Sequence, residues 1–319
     1  MQEIVQPNKA LKIKVLGVGG GGNNAVISMM NYGIKGVEYI IANTEKGILS
    51  RVDKSKCTTI QIGAELTKGL GAGADPEIGE KAARESEEEI ERAIEGADLL
   101  FLTAGMGGGT GTGAIPVIAD IAKRKGILTV GVVTRPFVFE GKLRTVRANM
   151  GIEKLRPNVN SLIIISNDQL LKTTENNTTV LEAFKMTDDI LRQAIQSVTE
   201  IIQTVGTINV DFADVKTVLS YEGYAYFGIG IAEGELKVEE ATMSALNNPL
   251  TERKIDGAKG VIFNIKGGTE ISLDDVNRSA EMISEKISPD ANVIFGTVID
   301  PSLGEKVEVT VVATSVNPE

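Results

Sequence analysis

Gly105-Met106-Gly107-Gly108-Gly109-Thr110-Gly111-Thr112-Gly113 is the stretch on which the architecture turns. It follows the apolar run Asp98-Leu99-Leu100-Phe101-Leu102-Thr103-Ala104 and precedes a helical pattern over Ala114–Lys125. A strand, a glycine-rich turn and a helix N-terminus make an anion cradle. Backbone N–H groups without intrahelical partners point into the turn, and the helix dipole favours negative charge there. A tight turn between packed elements needs only one or two glycines. A run this rich in them keeps side chains away from a bound phosphate, and the threonine hydroxyls can add hydrogen bonds.

Outward from this loop, apolar strands alternate with helical stretches. Strands are expected at Lys12–Gly17, Val37–Asn43, Thr58–Ile62, Asp98–Ala104, Ile127–Thr134 and Ser161–Ser166. Helical patterns separate them, including one acidic stretch over Pro76–Glu95. This is the signature of an α/β, Rossmann-like, doubly wound and mostly parallel sheet. Thr179–Val205 reads as one long helix, with Leu181, Phe184, Leu191, Ile195, Val198 and Ile202 at three- and four-residue spacings. At 1.5 Å per residue it would run about 40 Å, enough to link two domains. Beyond it, strands are expected at Gly223–Gly234, Gly260–Lys266, Ala291–Ile299 and Lys306–Thr314, with helices near Val238–Asn247 and Ser272–Ile287. The expected division is a nucleotide-binding domain over 1–178, a connecting helix over 179–205 and a smaller α+β domain over 206–319.

Composition bounds the chemistry. The chain has 319 residues, 42% of them apolar, no Trp and a net charge of −10. Lys123-Arg124-Lys125 is its longest basic run. Nucleic acid is therefore a poor main partner, because phosphate-backbone binding is chiefly electrostatic. A polyphosphate site here must rest mainly on backbone dipoles. The chain has no His, which removes every mechanism that uses an imidazole. Cys57 is the single cysteine, so an intramolecular disulfide is excluded and a conventional zinc site disfavoured. The opening MQEIVQPNKALKIKV lacks an apolar signal region, and no run of eighteen apolar residues could span a bilayer. A cytoplasmic location without direct membrane insertion is expected.

A second glycine run, GVGGGGNNAV at Gly17–Val26, follows the first strand. Gly17, Gly19 and Gly22 match the dinucleotide pattern GxGxxG, whose prediction would be an NAD-dependent oxidoreductase. That signature wants an acid closing the second strand, where only Glu45 is available, slightly late. Two glycine loops on neighbouring strands suit instead a triphosphate gripped from both sides. No GxxxxGK[ST] is present, so this is not a P-loop nucleotidase. The turn GAGADP at Gly71–Pro76 either closes over the end phosphate or is a surface loop capped by Asp75, with Pro76 at the first helical position. Phe184 and Asp188 lie four apart on one helix face. There a ring can stack on a purine and a carboxylate can accept from guanine N1–H and N2–H₂; a core aromatic beside a solvated acid fits the same spacing. Asp211 and Asp214 share one side of a helical turn, as helix caps or as acids for hydrolysis. A nucleotide-bound structural module without turnover would leave that pair idle.

GVGGGGNNAV, GLGAGADPE, TAGMGGGTGTGAIPVIA, GVVTRPFVFEGKLR and NVDFADVKTV together resemble the FtsZ and tubulin family of GTPases over nearly the whole chain. The resemblance implies a GTP-hydrolysing protein that polymerises head to tail and builds a ring at the cell-division site. It implies that Gly20, Gly21, Gly22, Asn23 and Asn24 line the phosphate and ribose side, with Ala72 and Gly73 nearby. Gly107, Gly108, Gly109, Thr110 and Gly111 would cradle phosphates. Glu140 and Arg144, otherwise an ordinary i,i+4 surface pair, would hold the ribose and a phosphate oxygen. Asn167, Phe184 and Asp188 would read the base. Asn209, Asp211 and Asp214 would enter the nucleotide pocket of the next subunit, where the acids polarise the attacking water. Mg²⁺ would sit on the phosphates, held mainly by phosphate oxygens and water. Cell-division proteins and membrane tethers would bind a C-terminal tail beyond Glu319. Departures from the usual pattern are Glu45, Asp75, Ser166, Gln169 and the bulky run Tyr221–Phe227.

Overall fold

The structure is a computed structural model and describes residues 11–172, 178–203 and 210–316. From β1 (Ile13–Val18) the chain turns directly into α1 (Gly19–Tyr32) and returns in β2 (Val37–Asn43). The single-turn α2 (Lys46–Leu49) leads to β3 (Cys57–Gln61). The short α3 (Ala64–Thr67), then α4 (Pro76–Glu85) and α5 (Glu87–Ile94), precede β4 (Leu99–Gly105). Next come α6 (Thr110–Arg124), β5 (Leu128–Arg135), α7 (Lys142–Leu155), β6 (Ser161–Ser166) and α8 (Asn167–Lys172). The long α9 (Val180–Gln203) and α10 (Phe212–Leu219) follow. The remainder is β7 (Gly223–Ala232), α11 (Lys237–Leu246), β8 (Gly260–Gly267), α12 (Leu273–Ser284), β9 (Asn292–Ile299) and β10 (Val307–Thr314).

The ten strands form one sheet in the order β3-β2-β1-β4-β5-β6-β7-β10-β8-β9. Every pair from β3 to β7 is parallel, β10 is antiparallel to both β7 and β8, and β8–β9 is parallel. The strands of the α+β part thus continue the first sheet rather than forming a second one. The seam is short: β6 meets β7 only over Ser161–Ile163 against Gly223–Ala225. The rest of the β6 edge is closed by the 250–252 segment, through Ser166 N–H to Leu250 O at 2.9 Å and Glu252 N–H to Ile164 O at 3.2 Å. A buried strand edge without partners would strand its backbone polar groups, so two segments share the work.

Strands such as β1 and β4 are buried and largely apolar because both faces are covered; Lys14 of β1 reaches Ala93 O and Glu38. On one face α4, α5, α6, α7, α11 and α12 pack over Leu16, Leu102, Ile164 and Val311. On the other, α1, α9 and α10 pack over Val15, Phe101, Val130 and Ile163. The long helix buries Ile190, Leu191, Ala194, Ile195, Val198 and Ile201 in this second core. Its 24 residues span about 36 Å, and residues 204–205 of the expected helix lie outside the described residues.

Two local outcomes depart from the pattern. The acidic stretch is not one helix but α4 and α5, broken at Ser86 (φ −105°, ψ 26°), whose hydroxyl accepts from Gly63 N–H at 3.1 Å. And α6 begins at Thr110 rather than Ala114, drawing glycine into its first turn. Packing explains this: a Cβ at Gly113 would lie 1.9 Å from Pro76 O of α4. Close helix contact overrides glycine's poor helix propensity.

Candidate functional site

The C-terminal ends of β1, β4, β5 and β6 open onto one cleft of about 290 Å³. Its lining includes Gly20, Gly21, Asn24, Gly105, Met106, Glu140, Arg144, Asn167, Phe184 and Asp188. Two helices, α1 and α6, start at this rim. Neither has a side-chain N-cap, and neither carries an acid in its first turn. Some other helices are capped by side chains: Asp75 accepts from Glu77 N–H on α4, Asp211 from Ala213 N–H on α10, and Ser272 from Asp275 N–H on α12; α5, α7 and α11 are not. What sets the cleft apart is that two uncapped helix starts, with their free N–H groups and positive dipole ends, meet at one place.

Glycine is required where the loops meet. Gly19 has φ +70°, and a Cβ there would stand 2.7 Å from Gly111 N, so the first two loops touch backbone to backbone. A Cβ on Gly109 would fall 2.7 Å from Asp75 N and 2.9 Å from Ala72 Cβ, which packs the third loop against the second. Ala72 is buried and Gly73 exposed beside it. Asp75 acts as the helix cap that the capped-loop alternative foresaw, so the third loop is at once a cap and a wall of the site. By contrast, nothing lies within 4 Å of a Cβ built on Gly20 or Gly108; both face open space. Thr44 Oγ1 and Thr110 Oγ1 are 2.7 Å apart, and Gly107 N–H donates to Thr112 Oγ1 at 2.7 Å.

Asn23 is placed differently from the expectation that it lines the ligand. It is fully buried, donates to Gly17 O at 2.8 Å and Ala42 O at 3.3 Å, and accepts from Asn43 Nδ2 at 2.7 Å. Its amide ties α1 to the first two strands, and Gly22 likewise faces Thr103 O inside the fold. Asn24, the next residue, is the one exposed to the cleft. Asn23→Ala should cost about 2–4 kcal/mol, since it leaves buried backbone and amide groups unpaired. Urea unfolding of the ligand-free protein checks this value.

At the other end of the cleft Phe184 stands edge-on to Phe137 (5.4 Å, 89°) and is 39% exposed, too open for a core ring. Asn167 is buried, and its Oδ1 accepts from Thr187 Oγ1 at 3.3 Å. Burial pushes the Asp188 carboxyl up to about 7. Glu140 is more than a surface residue: its side chain is 9% exposed, accepts from Phe137 N–H at 2.9 Å and meets Arg144 Nε at 3.0 Å. Thr134 and Pro136, at the end of β5, and Thr187 also line the cleft. The composition gave no sign of them, although their place at a strand's C-terminal end beside the glycine strand is where ligands gather in such sheets. With Arg144 as the cleft-lining cation opposite Glu140 and Asp188, attraction for an anion must come from the backbone.

Asp211 and Asp214 are not in this cleft. The long helix carries Phe184 and Asp188 at the glycine-loop rim, and its other end, Gln203, donates to Gly36 O at 2.7 Å just before β2 begins. Leu219 O accepts from Ser161 Oγ at 2.9 Å, at the first residue of β6. The segment carrying both acids is thus pinned at each end to the N-terminal rim of the strands. Asp214 is about 7.5 Å of helix from Leu219, whereas β5 alone is about 26 Å long. Both acids are exposed. Asn209 lies outside the described residues.

Sequence comparison bears on this geometry. A family model described as "Tubulin/FtsZ family, GTPase domain" matches residues 12–175, and one described as "FtsZ family, C-terminal domain" matches residues 223–317. An empty FtsZ dimer from M. jannaschii is 42% identical over 98% of this chain and 90% of that one, with a TM-score of 0.90. A point variant of FtsZ from M. jannaschii is also 42% identical, over 96% of this chain and 91% of its own, with a TM-score of 0.89. The GTPγS-bound CetZ2 protofilament from Haloferax volcanii has the same fold at 21% identity, covering 97% of this chain and 94% of its own, with a TM-score of 0.83. From the glycine loops on one rim to α10 on the other, the chain belongs to the FtsZ branch of the tubulin/FtsZ family.

Proposed function

We propose that the chain binds and hydrolyses GTP, and that its copies stack head to tail so that each active site is completed by the next copy. The carrying observation is the separation just described: an uncapped anion cradle on one rim and an exposed acidic pair on the opposite rim. Within one copy the two do not meet; in a head-to-tail stack they do. Such a heterologous contact does not close, so it generates a filament.

In this reading the phosphates rest on backbone N–H groups of Gly20, Gly21 and Gly108–Thr110, with Gly111 behind them; the Gly107 N–H is already taken by Thr112 Oγ1. Glu140 and Arg144 hold the ribose and a phosphate oxygen. Asn167, Phe184 and Asp188 select guanine, whose paired donors match a desolvated carboxylate; adenine offers no such pair. A water held by Asp211 and Asp214 of the adjoining copy attacks the γ-phosphorus. Its proton passes to a carboxylate, and the bond to the GDP oxygen breaks. Among the described residues no group of three His, Cys, Asp or Glu is arranged to hold a metal. Mg²⁺ would be carried by phosphate oxygens and water, where it would offset the phosphate charge. Among the described residues no helix is long and apolar enough to cross a membrane. We place the protein in the cytoplasm, in a ring at the division site, with tail-borne contacts to membrane tethers and other division proteins.

Light scattering and phosphate release measured against protein concentration test the proposal: both should rise steeply with GTP and stay flat with GDP or ATP. Turnover per copy that is constant down to high dilution would refute the shared site. Gly108→Val should leave the melting temperature of the ligand-free protein nearly unchanged, because its Cβ enters open space. GTP affinity should fall by about 10-fold or more, since that space is where a phosphate oxygen belongs. Calorimetric titration with GTP reads this directly.

A further inference from the structure

One stretch of this acidic chain is strongly basic. Residues 46–56, Lys46-Gly47-Ile48-Leu49-Ser50-Arg51-Val52-Asp53-Lys54-Ser55-Lys56, hold four cations against the single acid Asp53, in a chain whose net charge is −10. Elsewhere on the surface, cations sit beside carboxylates, as Arg84 does with Glu80 and Arg278 with Glu239. Lys46, Arg51, Lys54 and Lys56 are exposed, and among the described residues none of them forms an ion pair. The Asp53 carboxylate is turned to its own loop, accepting from Ser55 N–H at 3.0 Å and from Ser55 Oγ at 2.7 Å. Their charge is therefore left open to solvent.

Arg51, Asp53 and Lys56 rim a hollow of about 500 Å³ between this segment and α1. Its walls are Ile27, Met30, Ile48 and Val52, each half-buried, with Asn24 and Asn31 on the α1 side. Backbone bonds hold the rim in place: Arg51 N–H donates to Ile48 O at 3.2 Å and Lys56 N–H to Asp53 O at 3.1 Å. β3 is the outermost strand and runs parallel to β2, so residues 50–56 pass down the flank of the sheet from one rim to the other. None of the four cations lies on β3 itself, where a charge would guard the open edge.

We infer that this flank is a docking site for an acidic peptide with an apolar anchor. A side chain the size of Leu or Phe fills the hollow, while neighbouring Asp or Glu carboxylates meet Arg51, Lys54 and Lys56. An unpaired basic surface steers and orients an anionic partner. A desolvated anchor ringed by polar contacts is where such interfaces concentrate their binding energy. Two other polyanions fit less well. No apolar side chain of residues 46–56 is exposed, so none protrudes to enter a bilayer. No aromatic residue lines the hollow, so a nucleic-acid base has nothing there to stack on. Neither Arg51 nor Lys56 lines the nucleotide cleft, so the site stands whether or not copies of the chain stack. In a rim-to-rim stack the flank stays open.

The probe is the fluorescein-labelled hexapeptide Asp-Asp-Phe-Leu-Asp-Asp, titrated by anisotropy at low salt. It should bind saturably, and the control Asp-Asp-Ala-Ala-Asp-Asp about tenfold or more weakly, because the anchor is gone. Arg51→Glu combined with Lys56→Glu should weaken the probe at least about tenfold, with melting temperature and GTP turnover unchanged. Lys54→Glu, a single change at the surface, should weaken it in the same direction and serves where the double variant does not fold. Asn31→Trp fills the hollow without touching a charge and should bring the two peptides to equal affinity. Absence of saturable binding, or binding unmoved by the charge reversals, overturns the inference. So does an Asn31→Trp chain that still prefers the Phe-Leu peptide. Phosphatidylglycerol vesicles or oligouridylate that bind more tightly than the peptide, and are lost in the charge-reversed chain, would assign the patch to a membrane or to nucleic acid and overturn it as well.

Discussion

Replacing Asp214 with alanine lowers GTP turnover by about 10²–10⁴-fold, the range supplied by a positioned acid–base group. GTP affinity should stay within about twofold, because the residue lies on the rim opposite the cleft and, in the proposed reading, would meet the nucleotide only of another copy. Stability should also hold: Asp214 is exposed in the first turn of α10, whose cap is Asp211. The decisive measurement is complementation. Asp214→Ala chains keep an intact cleft, and Gly108→Val chains keep intact acids, so neither turns over GTP well alone. Mixed, they form junctions in which an intact cleft faces an intact acidic segment, and phosphate release reappears. If mixing restores nothing although the two variants co-assemble, the acids do not act across the junction. If the alanine variant binds GTP far more weakly, Asp214 serves its own fold or cleft instead.

Asp188→Asn should collapse the preference for guanine. The amide presents a donor where guanine also presents donors, so GTP affinity should fall on the order of 10²–10³-fold, with ATP affinity little changed. The same variant should be more stable than the parent without ligand. Burial has raised the Asp188 pKa in the folded state to about 7, above its unfolded value. The folded protein then binds the extra proton, and that contribution to stability is complete below about pH 4 and lost as pH rises through about 7. Asparagine has no charge to desolvate, so above pH 7 the variant should gain about 1–2 kcal/mol after allowing for the side chain's partial solvent contact. At pH 4 it should gain nothing. Guanine donors favour the ionised carboxylate, so GTP binding to the parent releases a proton at low pH. Affinity should weaken as pH drops below about 7, approaching tenfold per unit, and flatten above it. Titrations between pH 5 and 8 decide. An affinity independent of pH over that range, with an unchanged GTP-to-ATP ratio in the variant, would remove Asp188 from base recognition.

The parallel half of the fold was legible in the sequence because its elements announce themselves locally. Ser161–Ser166 and Val37–Asn43 are apolar runs bounded by polar or turn residues, and they form strands over those bounds. The start of α6 was not legible. Thr110–Gly113 looks like loop, and only the approach of α4 to within a Cβ radius shows why glycine must sit inside a helix there. Ser86 hid its break for the same kind of reason: the hydrogen bond from Gly63 that accompanies it comes from 23 residues away. In the site, Asn24 and Asn23 are adjacent and chemically identical. One faces the cleft and the other is consumed by Gly17, Ala42 and Asn43, a difference set by which side of α1 meets the sheet.

Sequence alone pointed to an anion held by backbone N–H groups, because glycine loops opening helices leave such groups free of intrahelical partners. It also excluded imidazole chemistry, since no histidine is present, and left carboxylates, hydroxyls, backbone donors and a hard cation. Tertiary structure alone decided how those groups are distributed in space. The strands of both halves merged into one sheet because the open edge of β6 required partners. The 24-residue helix laid along that sheet carried Asp188 to one rim, and the chain beyond it delivered Asp214 to the other. Distances between rims depend on how strands and helices pack, which no local pattern of residues encodes.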